Sequence, residues 1–504
     1  MSQERDESVP HMKSEEFRKL GHQMVDWIAD YWARMESFPV RAKVAPGEVL
    51  SKLPPHAPEQ GLGGAEGWDA VFKDLESVVL PGVTHWQSPS FFAYFPANAS
   101  GPSVLGELLS AGLGVQGMLW STSPSCTELE TRVLDWLAEL IGLPESFRST
   151  SPAGGGVIQG TASEATLVAM VAARARVRRQ RPGNAPLVAY SSTQAHSSVL
   201  KAAMLAGVAH GASDTAHVRL LETDSGYALR PEVLERAITE DLAAGRQPFF
   251  VCATLGTTSS GAIDPLGPIS EVMKRTGLTA MGGWLHVDAA WAGSALICPE
   301  HQGLASGMEQ VDSIAFDPHK WLLTNFDCDA FYTRDRASLV EALSVTPEYL
   351  RNAASASGSV IDYRDWQVEL GRRFRALKLW FVVRHYGASG LRAYIREHVR
   401  LAGLFESWVR EDARFELAVP RSLSLVCFRL APRTGEAPEA TDARNRALLE
   451  RLNATGSAFL SHTVLPGVGG APARFVLRMA IGAPSTQEPH VRACWQALQR
   501  LAGE

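Results

Sequence analysis

Between about residues 100 and 377 the chain alternates short apolar runs with helical segments, and this alternation constrains the fold more than any other feature. The runs at 187–190, 249–254, 284–287, 313–316 and 330–332 are apolar almost throughout, as in strands covered on both faces. Helical pieces such as 231–244 lie between several of them, which predicts a mostly parallel central sheet with helices on both faces. Open sheets of this class gather ligands at the carboxyl ends of their strands.

The residues with reactive side chains fall at those ends. His196 follows the first run, Thr257 and Thr258 the second, and Asp288 closes the third. Lys320 follows the fourth, within Asp317-Pro318-His319-Lys320-Trp321. An amine and a carboxylate at the ends of neighbouring buried strands suit pyridoxal phosphate (PLP): the lysine forms the Schiff base, and the acid keeps the pyridine nitrogen protonated. Burial is expected to lower the Lys320 amine and favour its neutral form. For Asp288 the competing reading is a helix cap or turn residue. Ala289 and Ala290 leave room for a flat ring, and His286 reads as a core histidine. Residues 154–165 read as a glycine-rich loop entering a helix, with Thr161 or Ser163 as its cap and exposed N–H groups able to hold an anion. No lysine follows the last glycine, so this is not a P-loop. His196 can stack on a cofactor ring, and the Thr258 hydroxyl can reach its ring oxygen.

The rest of the chain bounds the reading. At 504 residues, roughly three domains are expected at about 150 residues each: an N-terminal helical segment (1–100), a large α/β domain (101–377) and a small α+β domain (378–504). Phe17, Leu20, Met24, Val25, Trp27, Ile28, Tyr31 and Trp32 have helical spacing, and so much apolar surface near one terminus suits packing on a second subunit or on the chain's own core. A net charge of -6 argues against nucleic acid or an anionic membrane as partner. The basic cluster at 174–181 reads as a solvated helix end. Six scattered cysteines without a CxxC pair read as buried free thiols, not as metal ligands or disulfides. The charged N-terminus has no apolar signal core, and no run of 18 apolar residues exists, so a cytoplasmic protein is expected.

The ordered motifs Pro81-Gly82-Val83-Thr84-His85-Trp86, Phe91-Phe92-Ala93-Tyr94-Phe95-Pro96, Cys126-Thr127-Glu128-Leu129-Glu130, Gly155-Gly156-Val157-Ile158-Gln159-Gly160, Gln194-Ala195-His196-Ser197-Ser198, His286-Val287-Asp288-Ala289-Ala290, Pro318-His319-Lys320-Trp321 and Leu370-Gly371-Arg372-Arg373-Phe374-Arg375 resemble the group II PLP-dependent amino-acid decarboxylases, closely those acting on aromatic L-amino acids. The resemblance implies the type I fold of PLP enzymes, a homodimer with sites at the interface, and loss of the substrate carboxylate as CO₂. It implies that Lys320 carries the cofactor, Asp288 pairs with its ring nitrogen and His196 lies over the ring. The phosphate would sit on Thr161, Ala162 and Ser163, with Ala290, His319 and Asp317 nearby. Many relatives have Asn where this chain has Asp317. Tyr349, in a run of small and polar residues, would protonate the substrate carbon after CO₂ leaves, whereas relatives that form aldehydes carry Phe there. Trp86, Phe92, Tyr94, Phe95, Pro96, Ala97, Met118 and Gly371 form the expected substrate pocket. Its first five residues are apolar or aromatic and offer no cation to a distal carboxylate. Gly371 leaves room for an indole, and Ala97 lacks the hydroxyl that would suit a catechol.

Overall fold

The computed structural model describes residues 11–59, 61, 64–467 and 470–503. Two compact units emerge, one ending at Ser88 and the other beginning at Pro89. In the first, the helix Ser14–Ala33 buries none of its residues. Phe17, Val25 and Trp32 stand exposed along it, while Trp27 stacks on Tyr31 and the Tyr31 hydroxyl lies 2.7 Å from His85 Nδ1.

The second unit holds two sheets. Among the described residues its twelve strands are β1 (Phe91–Phe92), β2 (Gly155–Gln159), β3 (Leu187–Ser192), β4 (Val218–Leu221), β5 (Gln247–Thr254), β6 (Trp284–Asp288), β7 (Ser313–Phe316), β8 (Asp329–Thr333), β9 (Phe415–Leu417), β10 (Leu425–Leu430), β11 (Phe459–Leu465) and β12 (Arg474–Ala480). The seven-stranded sheet runs β2-β8-β7-β6-β5-β3-β4. All pairings from β4 to β7 are parallel, and β8 alone runs against its neighbours. Strands β3, β5, β6 and β7 are buried along their whole length, which is why their sequences are apolar without alternation. The second sheet, β1-β11-β12-β10-β9, is antiparallel except where β1 joins β11. A long helical stretch, Arg375–Glu411, breaks at Gly387, whose φ of 61° is open to glycine without cost. Leu379 and Leu391 on it enter the core of the seven-stranded sheet, and Leu401, Phe405 and Val409 that of the second.

Two expectations change. The segment predicted as a glycine-rich loop is mostly the edge strand β2, paired with β8. Its glycines serve close packing: a Cβ on Gly154 would come within 1.8 Å of Ser146 O, and one on Gly156 within 2.8 Å of the Tyr332 ring. The basic cluster is not wholly solvated either. Arg176 is buried, donates to Asp312 Oδ1 at 2.9 Å and to Gly282 O at 3.1 Å, and lies over the Trp284 ring.

Candidate active site

Adjacent strand ends bring the titratable groups together. Strand β6 ends at Asp288, opposite Thr254 on β5 and Ala315 on β7. Asp288 Oδ1 accepts from Ala290 N at 3.0 Å, which orients the carboxyl at the mouth of the sheet. Burial raises its pKa, opposed by the charges of Lys320 and His196, so both are close enough to act on it.

One residue beyond β7, the chain turns at Asp317 into the short helical turn Pro318–Trp321. Lys320 Nζ donates to Asp317 Oδ2 at 2.7 Å. The expectation of a depressed lysine is overturned here. Burial does pull the amine down, but the carboxylates of Asp317, Asp288 and Asp329 outweigh it and hold Lys320 above its ordinary value. His319 is buried, with Nδ1 2.8 Å from Cys328 O and its ring edge-on to Phe326, and burial lowers its pKa.

The helix Ala162–Gln180 points its N-terminus at the same place. Thr161 occupies the cap position yet makes no side-chain capping bond, and Ser163 is exposed. The caps come from elsewhere: Asp317 Oδ1 accepts from Ala162 N at 3.1 Å, and Glu164 Oε2 from Gly160 N at 2.9 Å. Sequence spacing hid this, because Asp317 lies 155 residues further along.

His196 lies in the turn after β3, its ring exposed and Nδ1 accepting from Ser198 N at 3.2 Å. Of the two threonines after β5, Thr258 is exposed and free of the turn's bonding, while the Thr257 hydroxyl pairs with Ser260 Oγ at 2.8 Å and accepts from Ala262 N. Ala290 is half-buried beside Asp288, its carbonyl accepting from Asp317 N at 2.8 Å.

The expected substrate pocket is less uniform. Phe95 stacks on Trp291 (5.0 Å between ring centroids) and meets Trp321 edge-on, so it adjoins both residues that flank the site motifs. Buried Pro96 and Phe95 crowd Gly482. Phe92, by contrast, is spent in the core of the second sheet with Phe405 and Phe428. Tyr94 is exposed at a φ of 52°, Ala97 is half-buried, and Trp86 is an exposed residue of the N-terminal unit. The Met118 carbonyl accepts from Arg364 N. The space expected at Gly371 is limited, since a Cβ there would stand 3.0 Å from Gln116 Nε2. Tyr349 is 77 % exposed.

Sequence reading missed Trp291, whose Nε1 donates to Gly256 O at 2.6 Å, and Asp329, which opens β8 fully buried. The signal for Asp329 was a charged residue directly preceding the predicted strand at 330–332. His210, Asp214 and His217 lie close enough to share an ion, but both Asp214 oxygens already accept from backbone amides of that loop.

An amine, an acid and an imidazole around the ends of adjacent parallel strands, facing a helix N-terminus, are the donor set of a PLP enzyme of the type I fold. Asp329 supports the fit: neither of its oxygens meets a donor among the described residues, so this polar site holds unspent bonding capacity. The pyridoxal-dependent decarboxylase conserved domain matches residues 46–431, and the chain belongs to that family of PLP-dependent carboxy-lyases. It is 50% identical to phenylacetaldehyde synthase of Arabidopsis thaliana over 97% of this chain and 96% of that protein. It is 47% identical to tryptophan decarboxylase 2 of Oryza sativa subsp. japonica, over 97% and 95%. The crystal structure of Oryza sativa TDC with PLP and tryptamine superposes with a TM-score of 0.92 at 43% identity, covering 98% of this chain and 99% of that one.

Proposed function

We propose that this enzyme decarboxylates aromatic L-amino acids, among tryptophan, 5-hydroxytryptophan, tyrosine, phenylalanine and dopa, to the amine and CO₂. In this reading Lys320 holds PLP covalently, Asp288 faces the pyridine nitrogen and His196 lies over the ring. Thr161, Ala162 and Ser163 cup the phosphate, with His319, Asp317, Thr258 and Ala290 around the cofactor. PLP supplies the electron sink that makes loss of CO₂ feasible. The protein supplies the placement, a buried acid that keeps the sink charged, and a proton donor.

Tyr349 is the observation that carries the choice of product. Its hydroxyl can return a proton to the α-carbon once CO₂ has gone, which yields an amine. The segment bearing it borders a cavity of about 950 Å³ lined by Thr346, Leu350 and Asn352, and the Tyr349 ring itself is exposed, as suits a mobile loop. The second reading, an aromatic acetaldehyde synthase, is favoured by the 50% identity to phenylacetaldehyde synthase. Aldehyde formation would consume oxygen and release ammonia and peroxide with the CO₂. Tyr94, Phe95, Pro96, Ala97, Met118 and Gly371 form the pocket in this reading, with Phe92 in the core of the second sheet.

A cytoplasmic homodimer with sites at the interface completes the proposal. The exposed apolar residues of Ser14–Ala33 suit burial on a second subunit. No described helix is long and apolar enough to cross a membrane. Residues 1–100, 101–377 and 378–504 then act as dimerising segment, cofactor domain and small α+β domain. The deciding experiment is an aromatic amino-acid panel scored for amine, CO₂, ammonia and peroxide. Amine equal to CO₂ supports decarboxylation, and peroxide equal to CO₂ supports the second reading.

A further inference from the structure

Strand register sets two carboxyls side by side beneath the lysine. In the antiparallel β7–β8 pair, Phe316 lies opposite Ala330, so the next residues across the ladder are Asp317 and Asp329. Asp317 is buried, and its carboxylate is divided between two donors: Oδ1 accepts from Ala162 N at 3.1 Å, and Oδ2 from Lys320 Nζ at 2.7 Å. Asp329 is fully buried; among the described residues no N–H or hydroxyl donor reaches either oxygen, and the Asp317 carboxyl lies within hydrogen-bonding reach. Two buried acids facing each other do not both ionise cheaply; one proton shared between them removes the repulsion. Burial, then the charge of Asp317, push Asp329 well above the carboxylate range. Burial raises Asp317 as well, but the charges of Lys320 and His319 bring it below its ordinary value. The other acids facing this pair are Asp288 from β6 and Glu164 from the helix Ala162–Gln180.

The amide that Asp317 occupies is one assigned above to the cofactor phosphate, and the inference rests on that assignment. We propose that Asp317 and Asp329 are a proton-sharing pair that stands in for the phosphate at the Ala162 amide, so that cofactor binding takes up about one proton into the pair. A phosphate dianion arriving beside an ionised Asp317 meets like charge; protonating the pair removes it. Attachment through the charged form of Lys320 changes no proton count, so whatever part of the uptake Asp317→Asn abolishes belongs to the carboxyls and not to the cofactor's ring nitrogen or phosphate. Both acids are positioning residues: they set cofactor affinity without entering the chemistry.

Equilibrium dialysis of the full-length holoenzyme at pH 6.5 to 8.5, read as retained PLP, tests this. The wild type should weaken by up to about tenfold per pH unit, the slope of one linked proton. Asp317→Asn should flatten that slope and hold PLP at least about tenfold tighter at pH 8. Asp329→Asn should keep the slope, because the asparagine mimics the protonated partner and the proton taken up goes to Asp317. Wild type and Asp317→Asn with equal Kd and equal slope would overturn the proposal. Should Asp317→Asn fail to fold, calorimetry of PLP binding to wild type in two buffers of different ionisation enthalpy still decides. Uptake near one proton supports the pair, and none refutes it. Pyridoxal without its phosphate separates the premises: a variant effect that persists with pyridoxal places the phosphate elsewhere and leaves the pair standing.

Discussion

Replacing Arg372 by methionine should cost this fold more than almost any other single change. Its guanidinium, buried with Glu130, donates to Glu130 Oε1 at 2.8 Å and Oε2 at 3.1 Å, to Ile158 O at 3.0 Å and to Gln367 Oε1 at 2.8 Å, and covers the Tyr363 ring. Glu130 in turn accepts from Ile158 N at 2.8 Å, so the pair clamps both polar groups of one β2 residue. Methionine keeps much of the volume but leaves Glu130 as an uncompensated buried charge, a loss of about 3–5 kcal/mol. Glu130→Gln in the same background should recover part of it, with a coupling of about 1 kcal/mol or more. Urea unfolding of wild type, both single variants and the double variant gives these terms. An Arg372→Met loss below about 0.5 kcal/mol, the scale of surface substitutions, would refute the clamp.

Further outcomes follow from other sites. Tyr349→Phe should retain bound cofactor and its visible absorbance while shifting product from amine towards aldehyde, read by chromatography and a peroxide assay; an unchanged amine yield removes the proton-donor role. Gly154→Ala should destabilise by at least about 1–3 kcal/mol in thermal or urea unfolding, because its Cβ meets the Ser146 carbonyl, which cannot rotate away. His398 is buried, accepts from Trp321 Nε1 at 2.9 Å and is lowered to about 4 by burial. A histidine lowered on folding stabilises fully above its unfolded pKa of 6.5, and the benefit is lost as pH falls towards 4. This one group contributes about 3 kcal/mol of acid sensitivity, which a His398→Gln variant should lack in unfolding series across that range.

Much of the site was legible because strand ends concentrate chemistry. Asp288 ends β6 and Lys320 follows the adjacent β7, as the apolar runs implied. What stayed hidden depends on contacts across long sequence separations. Asp317 capping Ala162 could not be read from either segment alone, and it reversed the expected direction for Lys320. The glycines at 154–156 look the same in sequence whether they line a loop or admit a tyrosine ring. Phe92 looked like a pocket residue because its motif continues to Phe95, yet the pairing of β1 with β11, far along the chain, carries it into the core of the second sheet.

The central claim, that Lys320 holds the cofactor, has a direct chemical test. Borohydride reduction of the holoenzyme, digestion and mass mapping should place one phosphopyridoxyl group on the peptide containing Lys320, and Lys320→Ala should lose both the label and the visible absorbance. The sharpest competitor is Lys378, buried elsewhere with its amine lowered to about 8. A label on Lys378, or full labelling of Lys320→Ala, would contradict the account.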